Sequence, residues 1–343
     1  MNYQGPCRAS NPTEQATMEV TAEFMAMAKA NMERGQLKEA LFDLDNALCL
    51  MPKSVHAHCN RAQALLSLGD YRQGFAEFEW RLALFGDVFT GVDVPVWRGE
   101  SLVGKRLLLG HEHGYGDSLM MLRYIPVLKD MGAEITLLVP PGLKRMASQF
   151  GIDVRDQYPD DYSIFDYRCP MFSIVAALGH GVSDIPSQPY IKTTNGERLP
   201  NSIGIAWSGN RKHLRDAHRS VGIEQFLLLF ESKGPTLYSV QNSELAEASE
   251  RGVVTQSFDD LSDTADFMSR LDHIVTVDSA PAHLAGAIGH PSVHLLLPYV
   301  SDWRWYHASA WYPNIKTYWQ DKPGDWASAF AKLNLELSCD GKN

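Results

Sequence analysis

The 343-residue chain predicts a helical repeat module followed by two parallel α/β halves that face each other across a cleft. Three observations predict this. A pattern of small and large residues returns after 34 positions near the front of the chain. From Pro95 the rhythm changes to short apolar runs alternating with amphipathic ones, and after a polar, turn-rich stretch that ends near residue 200 the same rhythm restarts. The length alone exceeds one ordinary core. The expected segments are a disordered tail over 1–17, the repeats over 18–90, and α/β halves over 91–195 and 196–337.

Composition narrows the function classes. The chain is 45% hydrophobic and 21% charged, ordinary for a globular protein. A formal net charge of −10 argues against a general nucleic-acid binder, though a local basic pocket for a small anion remains compatible with it. Cys7, Cys49, Cys59, Cys169 and Cys339 are scattered and form no C-x-x-C, so no disulfide framework or zinc knuckle is expected, and a reducing cytoplasm fits. The opening "MNYQGPCRASNPTEQAT" does not read as a signal peptide, and no window reaches the roughly 18 apolar residues of a membrane helix.

In the repeat, Ala28, Gly35, Leu37, Ala40 and Leu44 return as Ala62, Gly69, Tyr71, Gly74 and Phe78, and Pro52 closes the first unit. Small residues let paired helices approach, the two glycines break the chain between helices, and the proline ends the second helix. This period resembles the tetratricopeptide repeat. Two such units bury little by themselves, so they serve as a docking or capping module or as a surface for a protein partner.

Behind the repeat, "RLLLG", "EITLLVP" and "YSIFDYRCP" read as strands around helices "SLMMLRYIPVLKDMG" and "GLKRMASQFG". In the second half, strands "SIGIAWSG", "TLYSVQ", "DHIVTVD" and "PSVHLLLP" alternate with helices "IEQFLLLFES", "DTADFMSRL" and "APAHLAGAIG". Such alternation indicates doubly wound parallel sheets, whose ligands bind beyond the carboxyl ends of the strands. "DKPGDWASAFAKLNLEL" reads as a closing helix begun by Gly324 or Asp325.

Four polar clusters sit at those strand ends. "HEHGYGDSLM" (111–120) combines His111, His113 and Asp117 with a Gly114-Tyr115-Gly116 turn. Its carboxylate can cap the following helix, act as a base, or join the histidines on a metal. "TVDSAPAHLAGAIGHP" places Asp278 and Ser279 at a helix start, a natural anion site, with Ser279 as the expected cap and His283 one turn in. Asp278 merely capping and His283 merely filling space is the plainer alternative. Residues 206–220 gather Arg211, Lys212, His213, Arg215, His218 and Arg219, which suit either a solvated loop or a diphosphate. "YVSDWRWYHASAWYPN" is dense in aromatics that either line a sugar or base pocket or staple the closing helix.

Taken in order, "VPVWRGESLVGKRLLL", "GYGDSLMMLRYIPVL", "GIAWSGN" with "RDAHRS", "SVQ", "TVDSAPAHLAGAIGHP", "DWRW" and "WYPN" resemble the bacterial tetratricopeptide-fused glycosyltransferases of the heptosyltransferase-like class. The chain is more distantly similar to the O-linked N-acetylglucosamine transferases. The resemblance covers roughly residues 20–337. It implies a GT-B architecture of two Rossmann-like domains, with acceptor on the first and nucleotide-sugar donor on the second. It also implies inverting, metal-independent transfer to a glycan or protein hydroxyl, with the nucleotide sugar as co-substrate and no cofactor.

By position, the resemblance makes Asp117 the base, with His113 as fallback, and Gly114, Tyr115 and Gly116 the acceptor-side loop. It sets Asn210, Lys212 and Arg219 near the donor diphosphate, and Asp278, Ser279, Ala280 and His283 at the phosphate and ribose turn. Gln241 falls where base and ribose are read. The chain departs from the family's pattern where Arg215 precedes Asp216 and where His113 replaces a glutamine. A non-catalytic sugar-nucleotide-binding or protein-interaction scaffold of the same fold is the alternative reading.

Overall fold

The computed structural model describes residues 14–194, 196–213, 215–230 and 234–340. It divides into two compact units, one of Met1–Val92 with Phe172–Ile185 and Asp302–His307, the other of Asp93–Met171, Pro186–Ser301 and Ala308–Asn343.

The first unit is built on helices α1 (Glu14–Glu33), α2 (Leu37–Leu50), α3 (Val55–Ser67) and α4 (Tyr71–Phe78). Of the tail expected over 1–17, residues 1–13 lie outside the described residues, whereas 14–17 already belong to α1. The 34-residue pattern has a direct physical meaning. Gly35 (φ +73°) and Gly69 (φ +86°) make the equivalent turns within each helical pair. Ala28, Ala40 and Leu44 are fully buried, as is Ala62. Gly74 stands where the first pair has Ala40, and a Cβ there would meet the Leu66 side chain at 2.7 Å. Gly74→Val should therefore destabilise the protein by about 1–3 kcal/mol, the usual result of overpacking. A thermal melt checks this, and an unchanged midpoint would show that α3 and α4 are not tightly apposed.

Tyr71, Phe75 and Phe78 are closed over by Trp303 and Phe172, which meet them edge-on at ring distances between 5.5 and 6.5 Å. Trp303 thus staples the helical unit. In "DWRW" the Trp303 indole packs on the helical unit and not on the closing helix, because it completes an apolar surface that two helical pairs leave uncovered.

The second unit holds two sheets. The first contains β1 (Arg106–Gly110), β2 (Glu134–Leu138), β3 (Asp153–Arg155) and β4 (Tyr167–Pro170), ordered β3-β2-β1-β4 and wholly parallel. The other contains β5 (Ser202–Ala206), β6 (Thr236–Ser239), β7 (His273–Val277), β8 (Val293–Leu297) and β9 (Ile315–Trp319), ordered β6-β5-β7-β8-β9 and likewise parallel. The central strands are buried, which is why they read as unbroken apolar runs.

Four details differ from the sequence expectation. β3 and β9 are additional strands, and "YSIFDYRCP" narrows to Tyr167–Pro170. The long helix over 118–132 is two helices, Tyr115–Met121 and Tyr124–Asp130. Pro126 has no N–H for the Leu122 carbonyl, so the helix breaks there. Cys59 and Cys169 are buried and outside any disulfide, but Cys49 is disulfide-bonded, which the scattered spacing did not predict.

The closing helix, Trp326–Asp340, packs Trp326, Ala329, Phe330 and Leu333 into the core of the second sheet against Phe226, Val275 and Leu296. Asp325 accepts from the Ser328 N–H at 3.3 Å, as the sequence suggested for its start. Among the described residues, no helix is long and apolar enough to cross a membrane.

Candidate active site

Strand order locates the site. In the first sheet β2 and β3 lie on one side of β1 and β4 on the other, so the order in which strands are added switches sides at β1, between β1 and β4. In the second, β6 lies on one side of β5 and β7 on the other. Loops leaving the carboxyl ends of strands at such switch points form the crevice of an open α/β sheet. The "HEHGYGD" turn follows β1; residues 207–220 follow β5, Gln241 follows β6, and Asp278-Ser279 follows β7.

The first turn is held by its own chemistry. His113 takes φ +59°, a left-handed conformation unusual for a side chain of its size. It brings Gly114 to the start of the Tyr115–Met121 helix, where Asp117 Oδ2 accepts the Gly114 N–H at 3.0 Å. The capping role open to Asp117 is therefore real, and it fixes the half-buried carboxylate at the mouth of the turn. Tyr115 lies over Gly142, at the start of the Pro141–Ser148 helix. Burial lowers the His111 pKa, opposed by the Glu112 charge, and its Nδ1 has no hydrogen-bond partner. Among the described residues no three His, Cys, Asp or Glu side chains are grouped to hold a metal ion, so His111, His113 and Asp117 do not converge on one.

On the other side, Ser279 precedes the Ala280–Ala287 helix with extended backbone (φ −159°, ψ 172°). Its hydroxyl donates back to the Val277 carbonyl at 3.1 Å and does not cap the helix, contrary to the sequence expectation. The helix start therefore has no side-chain cap, the condition in which backbone amides favour an anion. Asp278 and Ala280 flank it half-buried, and His283 is buried one turn on.

The two sides meet at one point. A Cβ on Gly116 would lie 2.7 Å from His283 Cδ2, so only glycine lets the Tyr115–Met121 and Ala280–Ala287 helices come this close. The structure thus brings the Asp117 turn directly against the His283 helix.

The cationic loop is more differentiated than its sequence suggests. Arg211 donates to Glu244 through Nε at 2.9 Å and Nη2 at 2.6 Å, and to Asp216 at 3.3 Å. Burial would raise the Glu244 pKa, but hydrogen bonds from Arg211 and Ser208 outweigh it and the net shift is downward. Glu244 itself sits at φ +59°. Arg219 differs: its guanidinium lies on Gly209, where a Cβ would meet Nη2 at 2.6 Å. Its buried Nε has no hydrogen-bond partner and is 3.7 Å from Asp216. Lys212 and Asn210 are exposed at the loop tip, joined by a 3.0 Å bond from the Lys212 N–H to Asn210 Oδ1.

Gln241 is buried and both ends of its amide serve the protein. Its carbonyl oxygen accepts the Trp207 and Ser208 N–H groups at 2.9 and 3.2 Å, and its NH2 donates to Ser208 and Ser243. In this structure it braces the loop after β5. Sequence reasoning assigned no role to Glu244, Arg123 or Tyr312. The signal for Arg123 was available: a lone cation inside the apolar run "SLMMLRYIPVL" has to be buried and paired.

No family model matches the chain. Among curated proteins it is 21% identical to protein FlbA of Caulobacter vibrioides over 90% of its own length, and it spans 60% of that relative. Among solved structures it matches E. coli ADP-heptose lps heptosyltransferase II with TM-score 0.52 and 13% identity, covering 69% of this chain and 99% of that one. A Thermobaculum terrenum O-GlcNAc transferase aligns over 95% of this chain and 85% of its own, at 11% identity and TM-score 0.36. The mixed α/β fold with its two parallel sheets is the GT-B-like fold of the E. coli heptosyltransferase.

Proposed function

We propose that the protein is a glycosyltransferase that moves a sugar from a nucleotide-diphosphate donor to a hydroxyl acceptor, with inversion and without a metal ion. The observation that carries this reading is the contact of Gly116 with His283, which sets a carboxylate-bearing turn of one sheet against an uncapped helix start of the other. In this reading Asp117 takes the acceptor proton and the diphosphate departs from the opposite face of the sugar, as an inverting displacement requires. His113 is the fallback base, and Gly114, Tyr115 and Gly116 shape the acceptor side. Arg219, Lys212 and Asn210 meet the diphosphate together with Asp278, Ser279, Ala280 and His283, in place of a metal. Gln241 supports the donor loop. The α1–α4 pairs serve as tetratricopeptide-like units and offer a surface for a protein partner.

The heptosyltransferase likeness puts adenosine diphosphate first in a panel of nucleoside diphosphates, to be screened by thermal shift. Arg219→Ala should weaken binding of the best of them by about 1.5–3 kcal/mol, the worth of a charge-assisted hydrogen bond. Unchanged affinity in calorimetry, with the fold intact, would remove Arg219 from the donor site. The engagement of Asp117 as a cap favours a second reading, a non-catalytic sugar-nucleotide-binding scaffold. That reading requires binding without turnover.

A further inference from the structure

Behind the contact of Gly116 with His283 lies a buried polar chain that the reading above does not use. His283 Nδ1 is 3.0 Å from the hydroxyl of Tyr312, whose side chain is almost wholly enclosed. The guanidinium of Arg123 lies over the Tyr312 ring, 4.6 Å from its centre. Arg123 is itself held by the carbonyls of Met120 at 2.8 Å, Pro186 at 3.0 Å and Trp311 at 2.6 Å, and is stacked on Tyr190 and Trp311. The hydroxyl of Tyr190 donates to the Leu119 carbonyl at 2.9 Å and stands 3.4 Å from that of Tyr312.

Donor and acceptor roles follow from this arrangement. The Tyr190 proton goes to the Leu119 carbonyl and Arg123 can only donate, so toward Arg123 Nη2 at 3.5 Å and toward Tyr312 the Tyr190 oxygen is an acceptor. Burial lifts the Tyr312 pKa well above its ordinary value, and the phenol keeps its proton. The hydroxyl stands 3.4 Å from that of Tyr190 and 3.0 Å from His283 Nδ1, and the shorter contact lies in the ordinary range for a hydrogen bond, which favours Nδ1 as the acceptor of that proton. Nδ1 is then an acceptor, and a neutral imidazole whose Nδ1 accepts carries its hydrogen on Nε2. The Cδ2–Nε2 edge is the edge that lies against Gly116.

We propose that Arg123 and Tyr312 form a positioning lock that holds His283 in the Nε2–H tautomer and presents this N–H, at the junction of the two turns, to an anionic oxygen of the ligand. The inference rests on the donor-site reading for the identity of that ligand, a nucleoside diphosphate, but the tautomer is a property of the protein alone. The lock makes His283 a fixed hydrogen-bond donor, and the proton taken from the acceptor goes elsewhere.

The test uses the full chain with 15N-labelled histidine, in which ring nitrogen shifts distinguish a protonated from an accepting nitrogen. His283→Gln identifies the signal. At neutral pH the wild-type ring should be protonated on Nε2 alone, and Tyr312→Phe should convert it to a mixture of tautomers. Tyr312→Phe should also lower affinity for the best-binding nucleoside diphosphate about tenfold in calorimetry, with a much smaller effect on turnover at saturating donor. A wild-type ring protonated on Nδ1, or a tautomer unchanged in a folded Tyr312→Phe protein, overturns the lock. If Tyr312→Phe does not fold, the wild-type spectrum decides alone. If no nucleoside diphosphate binds the wild type while its ring is locked as described, the donor reading fails and the lock stands.

Discussion

Asp117→Asn should reduce sugar transfer by about 10²–10⁴-fold, the usual cost of removing a general base, while nucleoside diphosphate affinity stays nearly unchanged. The substitution suits this test because the asparagine oxygen can still accept the Gly114 N–H that Asp117 now accepts at 3.0 Å. The turn keeps its cap and loses only the group able to take a proton. A purely structural Asp117 would leave turnover close to wild type. If Asp117→Asn retains activity and His113→Ala abolishes it, the base is the histidine held at φ +59° in the same turn.

Gly116→Val should have a comparably large effect by a different route. The added side chain would begin 2.7 Å from the His283 ring, a distance real Cβ atoms essentially never show. His283 cannot give way cheaply, because it is buried and tied to Tyr312. Overpacking of this kind costs about 1–3 kcal/mol of stability. It also pushes the Asp117 turn away from the Ala280–Ala287 helix, and a misplacement of about 1 Å can cost about 10²-fold in rate. The expected protein is folded, melts several degrees lower and is almost inactive. Full activity in Gly116→Val would mean that the two turns do not act as one site.

Much of this fold was legible in the sequence because local and global signals agree. Gly35 and Gly69 had to be turns, and Ala40 and Gly74 had to be helix contacts, since large residues there would prevent the helices from pairing. The apolar runs that became β1, β2, β5, β7 and β8 follow from strands covered on both faces. What the sequence concealed depends on distant partners. Trp303 lies more than two hundred residues from Tyr71, and nothing in "DWRW" specifies that its indole closes a helical pair. β3 and β9 are edge strands with little burial pattern of their own.

Within the site, the polar clusters at strand ends were visible as clusters, but their internal pairings were not. Arg211 and Arg219 look alike in "NRKHLRDAHRS"; only the fold gives one to Glu244 and Asp216 and lays the other on Gly209. Ser279 precedes a helix as a cap does, yet its extended backbone turns the hydroxyl to the strand. Such differences of direction are set by tertiary geometry, which residue spacing does not encode.

The most direct measurement is release of nucleoside diphosphate from a panel of adenosine, guanosine, uridine, cytidine and thymidine diphosphate sugars, compared between the wild-type protein and Asp117→Asn. The account predicts that at least one donor is turned over by the wild type, and that Asp117→Asn binds the same donor with little release. Absence of binding and of release across the whole panel, or equal release by both proteins, would contradict it.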